Sequence, residues 1–269
     1  MSPLQALFLG IIQGITEFLP ISSSGHLIIF ERIFHLNVLN LKSFDVVLHL
    51  GTLLAIILYF WKDYLSMLTA LLKIAPSKSP RSSDQNYLKL CVLLIIATIP
   101  AVIIGALFEK KLDLTFRNLP SVAIAMLSVS LIFFLVEHPK FKKHLPVNTI
   151  FQAIVIGIAQ TFALIPGVSR SGATISAALA LGIDRVAAAR FSFLLGSIAI
   201  AGAGLLTALH LSSEPAFQPI SIYVIGFFAS FISGFLSVKF LMKFLKNHPL
   251  HLFAWYRLIV AAIILVSIY

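Results

Sequence analysis

Apolar residues fall into six long runs, at 44–60, 87–107, 120–137, 188–209, 219–240 and 252–269, separated by polar connections. A helix needs about 20 apolar residues to cross the hydrocarbon core of a bilayer. Each run therefore predicts a transmembrane helix, the first a little short and the last carrying Arg257 near its start. Two further apolar segments, about 3–35 and 148–183, are each interrupted by a cluster of Pro, Ser and Gly. Their halves are too short to cross alone and suit re-entrant helical hairpins. The order is a hairpin and three spans, followed by a hairpin and three spans.

The interrupted segments are copies of one another. GIIQGITEFLPISSSGHLI at 10–28 aligns with GIAQTFALIPGVSRSGATI at 157–175 at a constant offset of 147 residues, as between Gly10 and Gly157. Gln13 then meets Gln160, Ser22 meets Ser169, Ser24 meets Ser171 and Gly25 meets Gly172. The pattern predicts an all-α polytopic membrane protein forming a single membrane domain over 1–269, with repeat halves at about 1–140 and 147–269. Three spans per half turn the second copy upside down, and broken helices at such a repeat interface mark the expected site.

Composition agrees: 59% of residues are hydrophobic and only 11% charged, with a mean hydropathy of +1.01. Lipid must be the solvent for most of this surface. The single cysteine, Cys91, lies in an apolar run and argues against disulfides and a cysteine-ligated metal. The start of the chain has neither a basic leader nor a cleavage site, which argues against a removable signal peptide. The net charge of +10 sits in the connections and not in a soluble basic module, so nucleic acid is not an expected partner.

The basic residues also orient the chain. Lys62, Lys73, Lys78, Arg81, Lys89, Lys140, Lys142, Lys143, Arg185, Arg190, Lys243, Lys246 and Arg257 fall on one side. Arg32, Lys42, Lys110, Lys111 and Arg117 fall on the other. The richer side is cytoplasmic by the positive-inside rule, so the first hairpin enters from outside and the second from the cytoplasm. The polar stretch 73–86 reads as a flexible cytoplasmic connection.

Two acidic residues stand apart from the loops. Glu17 ends the first half-helix, where an unpaired carboxylate in hydrocarbon is costly, and Gln13 lies one turn earlier on the same face. Such a face can hold a divalent cation through oxygen ligands or orient a catalytic group. Asp45 is either a second acidic ligand or an interfacial charge, and His49 reads as a packed core histidine. Pro20 stops the first half-helix, and Ser22, Ser23 or Ser24 can cap the next. The N-terminus of that second half-helix suits an anion, with His26 in its first turn.

In the second copy, Gly167 lets the backbone turn, Ser169 can cap and Arg170 stands at mid-membrane depth. A guanidinium there is expensive unless it meets an anion, and its fork matches phosphate oxygens. Thr174 lies one turn on and can offer its hydroxyl to the same group. Arg185, Arg190 and Asp184 read as interfacial ion pairs. Gly196, Gly202 and Gly204 permit close helix packing, within the chain or between protomers. Dipole ends, an arginine, a carboxylate and hydroxyls together suit phosphoryl transfer, with a transporter as the alternative.

At these motifs the chain resembles the bacterial undecaprenyl-diphosphate phosphatase family of the integral membrane type. Gln13 and Glu17 match its first signature, His26 and the serine pair Ser22 and Ser23 its Ser-rich break. Pro166, Gly167, Ser169, Arg170, Ser171 and Thr174 match its second signature, PGxSRSxxT. The resemblance implies hydrolysis of undecaprenyl diphosphate to undecaprenyl phosphate, recycling the lipid carrier of cell-wall synthesis. It also implies a divalent cation, Mg2+ or Ca2+, and a place in the bacterial plasma membrane with the site open to the outer face. Arg170 would clamp phosphate oxygens, with Ser22, Ser169, Ser171, Thr174 and Gly167 completing the substrate site; in the transport alternative the same groups would hold the headgroup of a polyprenyl phosphate. Glu17 would hold the metal or orient the base. The nucleophile would be His26, Ser23 or water. Many members carry glutamate where this chain has Gln13, which keeps an oxygen ligand and removes a charge. The partners implied are the polyprenyl diphosphate and membrane lipids; the oligomeric state, a homodimer included, stays open.

Overall fold

The computed structural model describes residues 1–36, 41–73, 82–141, 144–211 and 218–268. The expected flexible connection at 73–86 falls largely outside the described residues, as do Lys78, Arg81, Lys142 and Lys143. Eleven α-helices run in order among the described residues: α1 (Pro3–Phe18), α2 (Ser23–Ile33), α3 (Lys42–Tyr59), α4 (Trp61–Leu72), α5 (Ser82–Phe116), α6 (Leu119–Val136), α7 (Ile150–Thr161), α8 (Arg170–Ala180), α9 (Arg185–Leu211), α10 (Ile220–Phe244) and α11 (His251–Ile268). Among the described residues, five are long and apolar enough to cross a membrane, in α5, α6, α9, α10 and α11. A sixth span is possible if α3 and α4 count together, although they meet at a bend of 74°.

Helix α4 was not expected from the sequence. Its first turn is hooked to α9: Asp63 pairs with Arg190, and the Tyr64 hydroxyl donates to Ser197 Oγ at 2.7 Å. These bonds pull the chain sideways at Phe60 with no proline or glycine at the bend.

The interrupted segments form two pairs of short helices, α1–α2 and α7–α8, each joined at its break and in mutual contact, termed hairpins. Both first halves open with the same capping box, Ser2 with Gln5 and Thr149 with Gln152, again 147 residues apart. Both second halves are capped by the repeated serine, Ser22 Oγ accepting from Gly25 N–H and Ser169 Oγ from Gly172 N–H. Ser22 and Ser169 share an unusual backbone at φ 78° and 74°, strain costing about 1–3 kcal/mol at each break. The same local answer to the same sequence thus appears twice.

Packing exchanges the halves. Helix α1 lies along α10, and α7 lies along α5; α6 pairs with α11, and α3 with both α9 and α10. Small residues let α1 and α10 approach closely: a Cβ at Gly10 would fall 2.6 Å from that of Ala229, and Ser233 Oγ lies 3.4 Å from Gly10 O. The exposed surface is rich in large apolar side chains, among them Leu107, Leu114, Leu131, Phe151, Ile220 and Val266. That belt is what a bilayer covers and water would not.

Candidate active site

The two breaks meet through their charged side chains. Glu17, at the end of α1, is buried, and its Oε1 accepts from Arg170 Nη2 at 2.7 Å. The arginine begins α8, so the pair joins the tip of one hairpin to the tip of the other. Both side chains are shielded, with 14% of Arg170 and 6% of Glu17 accessible. Losing one partner of such a pair typically costs about 3–5 kcal/mol, because the other charge stays buried.

The other carboxylate oxygen has its own company. Glu17 Oε2 accepts from Ser23 Oγ at 2.7 Å and from Gln13 Nε2 at 3.1 Å. Gln13 Oε1 and Arg170 Nη1 are both buried without a partner. Orphaned polar atoms beside a charged pair mark places where a ligand atom belongs. Gly196 of α9 makes room for the guanidinium, since a side chain there would overlap it.

His49 also belongs to this site, contrary to its reading as a core residue. Its side chain is 36% accessible, and its Nε2 lies 3.7 Å from Glu17 Oε2. Spacing puts His49 on the same side of α3 as Asp45, but only the packing of α3 beside the first break brings it to Glu17.

His26 is placed differently from the expectation. Its Nδ1 lies 2.7 Å from Ser22 O and its Nε2 2.7 Å from the Tyr256 hydroxyl. Both nitrogens are thus committed, so the ring braces the strained turn and does not face Glu17. Thr174 is also turned away from the guanidinium: it is fully buried, donates to Arg170 O at 2.8 Å and meets Ser192 Oγ at 2.6 Å. A helical hydroxyl that bonds back one turn is not free for a ligand. Ser171 is buried with its Oγ 3.2 Å from Ser169 Oγ, and Gly167, at φ 98°, makes the turn.

Arg257 corrects a second expectation. Counted from sequence with the cytoplasmic charges, it is fully buried among the helices. Its guanidinium donates to Gly167 O at 2.8 Å, Pro20 O at 3.2 Å, and to Ala125 O and Met126 O at 3.3 Å. One side chain from α11 therefore holds the backbone of both breaks. Its sequence signal was its position inside an apolar span, where a lone arginine requires partners.

Asp45 does not reach Glu17. It lies 4.0 Å from Arg117, which also pairs with the fully buried Glu31 at 3.4 Å. The interfacial arginines are paired as expected in kind, Arg185 with Glu137 and Arg190 with Asp63. Asp184 caps α9, accepting from Val186 N–H at 2.9 Å, and also lies 3.6 Å from His144. Among the described residues no group of three or more His, Cys, Asp or Glu forms a ready-made metal cage.

Comparison with known proteins adds the following. Residues 6–263 match the family model described as bacitracin resistance protein BacA. A protein of Caldicellulosiruptor bescii named undecaprenyl-diphosphatase is 44% identical, over 98% of this chain and 97% of its own. Proteins of the same name from Thermodesulfovibrio yellowstonii and Moorella thermoacetica are each 40% identical, over 97% and 98% of this chain and 95% and 97% of their own.

Proposed function

The chain belongs to the family described as bacitracin resistance protein BacA, and from that footing we infer that it is an enzyme hydrolysing undecaprenyl diphosphate to undecaprenyl phosphate and phosphate. The names of its relatives favour hydrolysis over the transport alternative. The observation that carries the site is the cross-hairpin pair of Glu17 and Arg170, with Arg170 Nη1 left buried and unpartnered.

In this reading Arg170 Nη1 takes an oxygen of the terminal phosphoryl group, and the free N–H groups at the start of α8 add their partial positive charge. Ser23 is the nucleophile, because its Oγ already donates to Glu17 Oε2. Its oxygen attacks the terminal phosphorus while the carboxylate takes its proton. The bond from that phosphorus to the bridging oxygen breaks, and undecaprenyl phosphate leaves with the electron pair. Water then attacks the phosphorus of the phosphoserine, the bond from phosphorus to Ser23 Oγ breaks as protonated Glu17 returns its proton to that oxygen, and the phosphate leaves carrying the hydrogens of the water. His26 supports this chemistry by bracing the turn that carries Ser23.

A divalent cation, Mg2+ or Ca2+, fits the residues present. Gln13 Oε1 is a buried oxygen without a partner, on the amide whose Nε2 donates to the carboxylate oxygen Glu17 Oε2. Few protein oxygens plus substrate phosphates are how Mg2+ is commonly held. The ion would supply neutralisation of phosphate charge.

The inverted repeat is part of the same reading. Its support is the exchange of partners, α1 on α10 and α7 on α5, which a two-fold relation between the halves generates. The charge asymmetry of the connections supports an outward entrance for the first hairpin, and with it a site open to the outer face of the plasma membrane.

Phosphate release from farnesyl diphosphate by detergent-purified protein, with Mg2+, Ca2+ or chelator, tests the assignment. Metal-dependent release that is lost in Arg170→Ala is expected. Release at the normal rate by that variant would sink the site, and none from folded wild type would sink the function.

A further inference from the structure

The arrangement of His49 needs an explanation that the phosphatase reading does not contain. The partner of its Nδ1 is the Asp45 carbonyl, at 2.7 Å. A carbonyl only accepts, so Nδ1 carries the proton and, in the neutral ring, Nε2 presents a bare lone pair. That lone pair faces Glu17 Oε2 at 3.7 Å. The oxygen already accepts from Ser23 Oγ and Gln13 Nε2, yet two electron-rich atoms still repel unless something positive lies between them.

The separation is informative in itself. A hydrogen bond between protonated Nε2 and the carboxylate would close to about 2.7–2.9 Å. Two donor atoms sharing one ion, each about 2.1 Å from it, stand roughly 3.0–3.6 Å apart for angles between octahedral and trigonal. The observed gap fits the second case better. A metal-binding imidazole also almost always donates its other N–H to a carbonyl or carboxylate, as His49 does to Asp45. The ring is a third accessible, which leaves it reachable by an ion from solvent.

We propose that His49 Nε2 is a ligand of the divalent cation at Glu17, completing a set with Gln13 Oε1. This rests on the reading of Glu17 and Gln13 as the cation site. The chain has an uncharged amide at position 13, so an imidazole restores donor strength without adding charge. Imidazole is a softer donor than carboxylate or water and suits transition ions better than Mg2+ or Ca2+. The site is therefore tuned toward Mn2+, Co2+ and Zn2+, all of which it binds more tightly than Ca2+.

The probe is Mn2+ bound to the purified full chain in detergent, read by pulsed EPR for coupling to a directly bound nitrogen. Nitrogen coupling in the wild type, absent in His49→Gln, is the expected result. Loss of a partner that merely orients a ligand costs about 10–100-fold in metal affinity. Losing the ligand itself should weaken Mn2+ by at least about tenfold on the same grounds, with Ca2+ affinity nearly unchanged. Bound Mn2+ without nitrogen coupling, coupling that survives His49→Gln, or no Mn2+ binding would each overturn the proposal. Phosphate release measured on the same preparation keeps the two readings apart. Release without nitrogen coupling rejects His49 alone, whereas coupling without release upholds His49 and rejects the hydrolase.

Discussion

Gly196→Ala tests the site at a residue that makes no chemical contact of its own. An added Cβ would stand 2.7 Å from Arg170 Nη2 and closer still to Cζ and Nη1. Ordinary contact requires about 3.5–4.0 Å, so the guanidinium must retreat by about 1 Å or more. Its bond to Glu17 Oε1 is 2.7 Å, and a retreat of that size carries it past the ~3.2 Å limit of a useful hydrogen bond. A misplacement of about 1 Å can cost about 100-fold in rate, equivalent to about 2.7 kcal/mol of transition-state stabilisation. Alanine is also the better helix former by about 0.8–1.0 kcal/mol, so α9 itself should not weaken. Steady-state phosphate release from farnesyl diphosphate, with a thermal melt of the same sample, reads both consequences. We expect kcat to fall by about two orders of magnitude, with a lower melting temperature, because straining the buried pair with Glu17 outweighs the gain in helix propensity. A wild-type kcat in a folded variant would refute the claim that this glycine exists to seat Arg170.

Other substitutions probe the scaffold. Arg257→Met strips the donors from Pro20 O and Gly167 O, each orphaned carbonyl costing about 1–3 kcal/mol, so both melting temperature and kcat should drop; an unchanged melt would remove Arg257 as the tie between the breaks. Gly167→Ala places a side chain at φ 98° and 2.7 Å from Val122 O, and a loss of folded protein on size-exclusion chromatography is expected. Ser23→Ala should abolish phosphate release while leaving the Glu17–Arg170 pair intact, and residual turnover near wild type would transfer the attack to water. Glu137→Gln breaks the buried pair with Arg185 and weakens the acceptor for Leu250 N–H, at 2.9 Å. It should lower the melting temperature and leave KM for farnesyl diphosphate unchanged, since the pair lies away from the hairpin tips.

How much was legible from the chain depends on whether the cause was local. Both hairpins could be read because proline, serine and glycine act through their own backbone: Pro20 ends α1, Ser22 and Ser169 cap, and Gly167 turns. Hydropathy likewise marked the five spans in α5, α6, α9, α10 and α11, since bilayer thickness sets their length, whereas the run at 44–60 is long enough only together with α4 across the bend. The sequence further singled out Glu17 and Arg170, because ions in apolar surroundings demand a partner whatever the fold. Partner choice was another matter. That Arg257 would bond Pro20 and Gly167, that Tyr256 would claim His26, and that His49 would face Glu17 depend on α11 and α3 arriving beside the breaks from remote parts of the chain. Helix α4 was missed for the same reason, its bend being set by Arg190 and Ser197 of α9. Local backbone chemistry and transfer energy are written residue by residue, and the sequence alone determines them. Hydrogen-bond directions across helices depend on rotation and depth, which only the packed tertiary structure decides.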